Sequence, residues 1–221
     1  QPGDIFAATG VVEGAGANRS VAAYANNPEA ERARYSGDTD TGMTLLKFAD
    51  ASGPIGAVNW FASHPTAMNF FNRLISGDHK GHASARFEAE MGTGLVAAFA
   101  QSNCGDITPN LNLNNTGPGA DAFETTRIIA ERQLEVAKRL FDTATEKLAG
   151  PIEIRHAYFN LANYSVSAEF TGAGDQHTCP SAYGYAFAAG STEDGGGHPL
   201  FKEGMITRNA MIDGTVKAQF K

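Results

Sequence analysis

Hydrophobic residues form short runs in the first half of the chain, and these runs predict strands. Residues 44–48 and 56–61 have strand length and are separated by residues 51–54, which are rich in turn-forming types. They predict a hairpin. A further apolar run at residues 95–100 predicts another buried strand.

Helical spacing is clearest between residues 121 and 148, where apolar positions recur every three or four residues up to a stop at Gly150. This pattern predicts a long amphipathic helix. Residues 80–91 predict a second helix, ended by Gly92. A short helix is expected at residues 20–25, with Ser20 as its cap.

Weaker patterns cover the rest of the chain. Residues 4–20 are rich in Gly and Ala and are expected to be irregular. Residues 151–159 and 164–170 are expected to be strands, residues 180–189 a helix, and residues 190–198 a flexible loop.

These elements predict an α/β fold with a mixed β-sheet flanked by helices. No internal repeat or domain boundary is evident, so residues 1–221 are expected to form a single segment. The sequence begins with Gln1 rather than Met, and no cap or turn signal marks its end at Lys221. We therefore expect an incomplete part of a larger domain, with upstream and downstream parts missing.

Composition excludes some classes of function. The formal net charge is −7 and no basic stripe is present, which argues against nucleic acid as a partner. No apolar stretch approaches the ~20 residues of a membrane span, and no signal segment opens the chain. Cys104 and Cys179 leave three states open: one disulfide, free thiols, or pairing with other cysteines.

Two polar side chains follow predicted strands and are the first candidates for chemistry. His64 lies just beyond residues 56–61, beside Pro65, where a neutral imidazole loses little freedom on binding zinc. A lone histidine is more often a satisfied polar residue. Thr108 follows residues 95–100 in an expected turn, where its hydroxyl either performs chemistry or caps the turn.

A second pair of histidines, His79 and His82, is spaced to share one helical face. This spacing is compatible with a metal pair. However, Asp78 and the residues after it are typical of a helix start with aspartate as the cap, which favours a structural role.

Four segments together resemble the neutral ceramidases, zinc amidases that hydrolyse the N-acyl bond of ceramide. They follow the family order and span roughly residues 18 to 200, so the chain is similar to the central part of the catalytic domain. The segments are Asn18-Arg19-Ser20 with residues 22–24 and 27–28, residues 59–66 continuing to 76–81, residues 99–110, and residues 188–195.

The resemblance implies a role for each site residue. His64 matches a zinc ligand, while a histidine upstream and a glutamate and a tyrosine downstream would lie outside this sequence. Thr108 stands where the family usually carries serine, regarded as the nucleophile or as a polar group beside the zinc-bound water. Arg19 matches an arginine that lines the active site, although a surface salt bridge is the alternative. Asn110 is expected to bind substrate or to hydrogen-bond its own loop.

The implied function is zinc-dependent hydrolysis of ceramide to sphingosine and a fatty acid. One alternative is a zinc amidase acting on another N-acyl lipid or N-acyl amino compound. Another is a non-catalytic scaffold fragment. The resemblance also implies a secreted or periplasmic protein, peripheral membrane contact, and association with the remaining parts of the same enzyme.

Overall fold

The computed structural model describes residues 2–92, 94–205 and 209–219. The residues at the two ends of the chain, on which the expectation of an incomplete domain partly rests, lie outside these ranges. The strands are β1 (Asp4–Val11), β2 (Ala17–Asn18), β3 (Gly42–Asp50), β4 (Gly53–Phe61), β5 (Val96–Gln101), β6 (Ile107–Thr108), β7 (Glu146–Lys147), β8 (Ser165–Val166) and β9 (Gln176–His177). The helices are α1 (Val21–Ala25), α2 (Glu29–Arg32), α3 (Asp78–Met91), α4 (Ala122–Thr143), α5 (Ala168–Thr171), α6 (Tyr185–Ala189) and α7 (Ala210–Gln219).

A five-stranded mixed sheet organises the fold, in the order β5-β4-β3-β1-β7. β3 and β4 form the expected hairpin, while β4 and β5 run parallel and are joined through α3. Helices α3 and α4 pack on each other and on this sheet. The α/β prediction is therefore confirmed, with both long helices in one layer.

The core lies between this helix layer and the sheet. Phe87 of α3 is fully buried, with its ring edge-on to Phe99 and Phe141 at centroid distances of 6.0 and 5.4 Å. Met43 and Leu45 of β3 are buried in the same cluster. Within the described residues, none of the helices has the length and apolar character needed to cross a bilayer.

The expectation that residues 4–20 are irregular was wrong for β1, which pairs with β3 on one side and β7 on the other. Its small residues serve the packing of α4. A Cβ added at Gly10 would lie 3.0 Å from Leu140 Cδ2 of that helix. Strand formation here follows from tertiary contacts rather than from local propensity.

The long helix was predicted in the right place but too long at its end. Asp121 caps α4 by accepting a hydrogen bond from the Glu124 N–H at 2.8 Å. The helix ends at Thr143 because Ala144 adopts an extended conformation, and the chain then joins the sheet as β7. Pairing with the edge of β1 thus replaces the last helical turn.

Several weaker predictions were wrong. Residues 151–159 form no regular strand, and Ile152 and Ile154 are exposed rather than paired. Residues 164–170 contain only the two-residue β8 followed by α5, and the helix expected at 180–189 is confined to α6. The strand expected at 95–100 forms as β5, but as a half-exposed edge strand rather than a buried one.

Candidate functional site

His64 lies three residues beyond β4, at the end where the parallel pair β4 and β5 finishes. Its backbone N–H donates to the Ile107 carbonyl at 3.1 Å, and its Nδ1 lies 2.8 Å from the same oxygen. A carbonyl only accepts hydrogen bonds, so Nδ1 carries a proton, and in the neutral form of the ring the lone pair is on Nε2. This is the tautomer that leaves Nε2 available as a ligand.

Thr108 directly follows the residue whose carbonyl His64 contacts, so the two predicted site residues are brought together. The sequence analysis expected Thr108 in a turn. It is instead the last residue of β6, where it pairs with Ala17 of β2. Thr108 is fully buried, and its Oγ1 accepts a hydrogen bond from the Asn110 N–H at 3.2 Å. The hydroxyl therefore makes the capping contact considered in the sequence analysis, at a position beside His64.

Asn110 is also buried, and its amide joins three parts of the chain. Its Nδ2 donates to the Thr66 carbonyl at 3.2 Å and to Glu193 Oε1 at 2.6 Å. Its Oδ1 is buried with no hydrogen-bond partner among the described residues. The side chain therefore joins its own loop to two other segments, rather than bonding only within its own loop as one alternative of the sequence analysis had it; substrate binding by Asn110 stays a prediction.

Glu193 was missed as a site residue by the sequence analysis. It is only 5% exposed, although the surrounding segment was expected to be a flexible loop. Its backbone carbonyl accepts a hydrogen bond from Asn115 Nδ2 at 3.1 Å, in addition to the contact of its side chain with Asn110. A carboxylate within one of the four segments that carry the resemblance was the available signal.

Arg19 reaches the same region through the pairing of β2 with β6. Its Nε lies 3.3 Å from Asp106 Oδ1, and its backbone N–H donates to the Asp106 carbonyl at 2.9 Å. The side chains are 30% and 52% exposed, so this pair contributes little to stability by itself. The salt bridge forms at the edge of the site rather than at a remote surface.

Helix α3 holds the loop that carries His64. The cap position of α3 is occupied by Gly77 rather than Asp78, which has a left-handed φ of 53°. The Asp78 carboxylate accepts from the His79 N–H at 2.7 Å and also from the N–H groups of Ala67 at 3.2 Å and Met68 at 2.8 Å. His79 Nε2 lies 2.9 Å from the His64 carbonyl, and its Nδ1 lies 2.8 Å from Gln133 Nε2.

Both ring nitrogens of His79 are therefore engaged, which argues against its use in a metal pair with His82. Burial lowers the pKa of His79 below its ordinary value, although the hydrogen bond with the His64 carbonyl and the charge of Asp78 act in the opposite direction. The ring is thus neutral at pH 7. A structural role is the reading that the geometry supports.

A cleft of about 540 Å³ opens beside Cys104 and Ile107. It lies between the segment Tyr35–Thr41 and the segment Asn103–Ile107, with Tyr24 at its side. Cys104 links the cleft to the histidine, since its Sγ lies 3.5 Å from His64 Nε2. Cys104 and Cys179 are both free.

The site fits zinc in one respect. The protonated Nδ1 of His64 is fixed by a backbone carbonyl, the usual support of a metal-binding imidazole. A catalytic zinc takes about three protein ligands, and the described residues contain no group of three His, Cys, Asp or Glu side chains placed to hold a metal. His64 thus fits one position in a zinc site.

Comparisons with a family model and with known proteins all identify the same family. A model described as neutral/alkaline non-lysosomal ceramidase, N-terminal, matches residues 1–221. Neutral ceramidase 2 of Arabidopsis thaliana is 35% identical over 92% of this chain and 38% of its own length. Neutral ceramidase B of Dictyostelium discoideum is 39% identical over 89% of this chain and 32% of its own length.

Solved structures agree with the sequence comparison. A structure of a ceramidase complexed with C2 has a TM-score of 0.79 and 38% identity, covering 97% of this chain and 33% of that protein. Neutral ceramidase from Pseudomonas aeruginosa has a TM-score of 0.74 and 37% identity, covering 83% of this chain and 30% of that protein. The chain thus spans about a third of the length of the proteins that it matches.

Proposed function

Since the chain belongs to the neutral/alkaline non-lysosomal ceramidase family, we propose that the protein carrying it hydrolyses ceramide to sphingosine and a fatty acid, using zinc at His64. The observation that carries this proposal is the shared Ile107 carbonyl, which fixes the imidazole of His64 and directly precedes Thr108. His64 and Thr108, 44 positions apart in sequence, are thereby linked through the backbone of Ile107, which supports a shared role for them.

Each candidate site residue has a defined part in the proposed reaction. When bound, zinc supplies a Lewis acid that polarises the amide carbonyl of the substrate. His64 would offer Nε2 to the metal, while the Ile107 carbonyl would keep the proton on Nδ1. The remaining protein ligands of zinc would come from outside the described residues.

Thr108 acts at the amide carbon in one of two ways. Its hydroxyl either attacks, forming an ester as the C–N bond breaks and the amine takes up the hydroxyl proton, or it holds the attacking water and the developing oxyanion. In the first case water then cleaves the ester, which releases the fatty acid and restores the Thr108 hydroxyl. Because the residue is fully buried, either role requires the turn closed by Asn110 to open toward the substrate. Arg19, at the same edge, would bind the carboxylate of the fatty acid product.

A second candidate is hydrolysis of a different N-acyl lipid or N-acyl amino compound. It is favoured by Thr108 itself, because the extra methyl group crowds the approach of a carbonyl relative to the serine that the family usually carries. The proposal of ceramide hydrolysis also includes three expectations from the resemblance. These are peripheral membrane contact, a secreted or periplasmic location, and association with the remaining parts of the enzyme.

The test measures fatty acid and free amine released from ceramide and from N-acyl amino acids by the zinc-supplemented protein. We expect ceramide to be cleaved, Thr108→Ser to retain activity, and Thr108→Ala to lose at least 100-fold in kcat/KM. Preference for N-acyl amino acids would favour the second candidate. No amide hydrolysis and no bound zinc would support the non-catalytic scaffold and overturn the proposal.

Thr125→Ala is the matched control for Thr108→Ala. Thr125 is also buried, and its Oγ1 also accepts a backbone N–H, that of Gly119, at 3.2 Å. Both substitutions remove the same methyl and hydroxyl groups. A loss of activity confined to Thr108→Ala would then report the chemistry of the hydroxyl rather than the loss of a buried hydrogen bond.

A further inference from the structure

A line of buried hydrogen bonds connects the middle of α4 with the backbone of His64. Gln133 and His79 are both fully buried. Gln133 Nε2 lies 2.8 Å from His79 Nδ1, and His79 Nε2 lies 2.9 Å from the His64 carbonyl oxygen. The line crosses from α4 to α3 and ends at the residue proposed to bind zinc.

The direction of each hydrogen bond follows from the groups involved. The His64 carbonyl only accepts, so His79 Nε2 must carry a proton. The Gln133 amide nitrogen only donates, and it also donates to the Ile129 carbonyl at 3.1 Å, so His79 Nδ1 must accept. Gln133 thereby selects the single neutral tautomer of His79 that can donate to His64.

The same end of α3 also holds the loop beyond His64. The Asp78 carboxylate binds the N–H groups of Ala67 and Met68, while His79 binds the His64 carbonyl. The N–H and the ring of His64 are bound from the other side by Ile107. The backbone of His64 is thus fixed on both sides, which determines where its Nε2 points.

We propose that Gln133 and His79 are positioning residues for His64: they fix the peptide of that residue so that its Nε2 is held in the orientation required for zinc. This inference rests on the metal site of the proposed function, but not on ceramide as the substrate. Neither residue contacts the metal or the substrate. Their effect passes through the His64 carbonyl, with Gln133 acting through His79.

The test is a double-mutant cycle on the whole protein that carries this chain, with His79→Met, Gln133→Met and the double variant. Zinc affinity of the folded protein is measured by competition with a chelator. We expect His79→Met to weaken zinc binding 10- to 100-fold, the range for residues that support metal ligands. The double variant should be no weaker than His79→Met alone, because Gln133 acts only through His79.

A second measurement needs no metal. Nitrogen-15 NMR of the histidine rings should show His64 with the proton on Nδ1 in the wild type, and both tautomers in His79→Met. His79→Gln offers an amide N–H near the former Nε2 position and should restore the single tautomer and zinc affinity within a few-fold of wild type.

Leu140→Ala is the control, because Leu140 is buried on α4 beside Gly10 of β1, about two helical turns beyond Gln133. It should lower the free energy of unfolding without changing zinc affinity. The inference is overturned if His79→Met and Gln133→Met leave both the His64 tautomer and zinc affinity unchanged, or if zinc affinity falls equally in Leu140→Ala. A wild type that shows the expected tautomer and binds zinc but leaves ceramide intact would instead refute the proposed function alone.

Discussion

Lys80 offers a sharp test of how the ends of β4 and β5 are held together. It is only 9% exposed, and its Nζ donates to the Phe61 carbonyl at 2.9 Å and to the Ala100 carbonyl at 3.1 Å. These two carbonyls close the parallel pair from which the segments carrying His64 and Thr108 continue. The substitution Lys80→Met removes the ammonium group that binds these two carbonyls.

Burial lowers the pKa of Lys80 from 10.5 to about 8, opposed only by the nearby Cys104. In the unfolded chain the lysine keeps its ordinary pKa, so between pH 8 and 10.5 the unfolded state binds more protons than the folded state. Stability therefore rises with pH across this window. The fall in pKa corresponds to about 3 kcal/mol in the free energy of unfolding. Burial of the charged lysine lowers stability by this amount below pH 8, and the loss disappears above pH 10.5.

The assay is urea unfolding of the wild type and Lys80→Met at a series of pH values from 7 to 10.5. The free energy of unfolding of the wild type should gain about 3 kcal/mol relative to the variant across this range. Subtracting the two curves cancels the titration of groups that both proteins share. Lys202→Met, at an exposed lysine, is the control and should follow the wild type. A difference curve that is flat, or that falls with pH, would refute the reasoning.

Three further predictions concern the capping, burial and packing described above. Asp121→Ala removes the cap that accepts from the Glu124 N–H and should cost about 1 kcal/mol in urea unfolding; no change would contradict the capping role. Asn110→Asp places a second carboxylate 2.6 Å from Glu193 Oε1 and should cost about 1–3 kcal/mol at pH 7. Repulsion between the introduced carboxylate and that of Glu193 raises the carboxyl pKa of the pair in the folded variant, so the loss in free energy of unfolding should shrink on acidification. A loss that does not depend on pH would contradict this repulsion. Phe87→Ala should cost about 3–5 kcal/mol in thermal or urea unfolding, and a loss below about 1 kcal/mol would show that the aromatic cluster is not the core.

The elements predicted correctly are those whose pattern is local. The hairpin of β3 and β4 and the start of α4 at Asp121 depend on turn and capping residues that lie within a few positions. In contrast, β1 and the end of α4 depend on a partner far away in sequence. The small residues of β1 gave no strand signal, and Glu146–Lys147 is a strand only because β1 offers an edge.

The candidate site divides in the same way. His64 and Thr108 were found because each follows an apolar run and matches a family segment, and the structure brings them together through Ile107. Gln133 gave no signal, because a polar residue in an amphipathic helix is normally expected to face solvent. Its role becomes visible only when α3 and α4 pack together.

Whether His64 binds a zinc ion beside Thr108 can be seen by anomalous diffraction at the zinc absorption edge, from crystals of the protein grown with zinc. We expect an anomalous peak about 2.0–2.1 Å from His64 Nε2. A zinc ion bound elsewhere, with the imidazole of His64 outside its coordination shell, would refute the proposed zinc site.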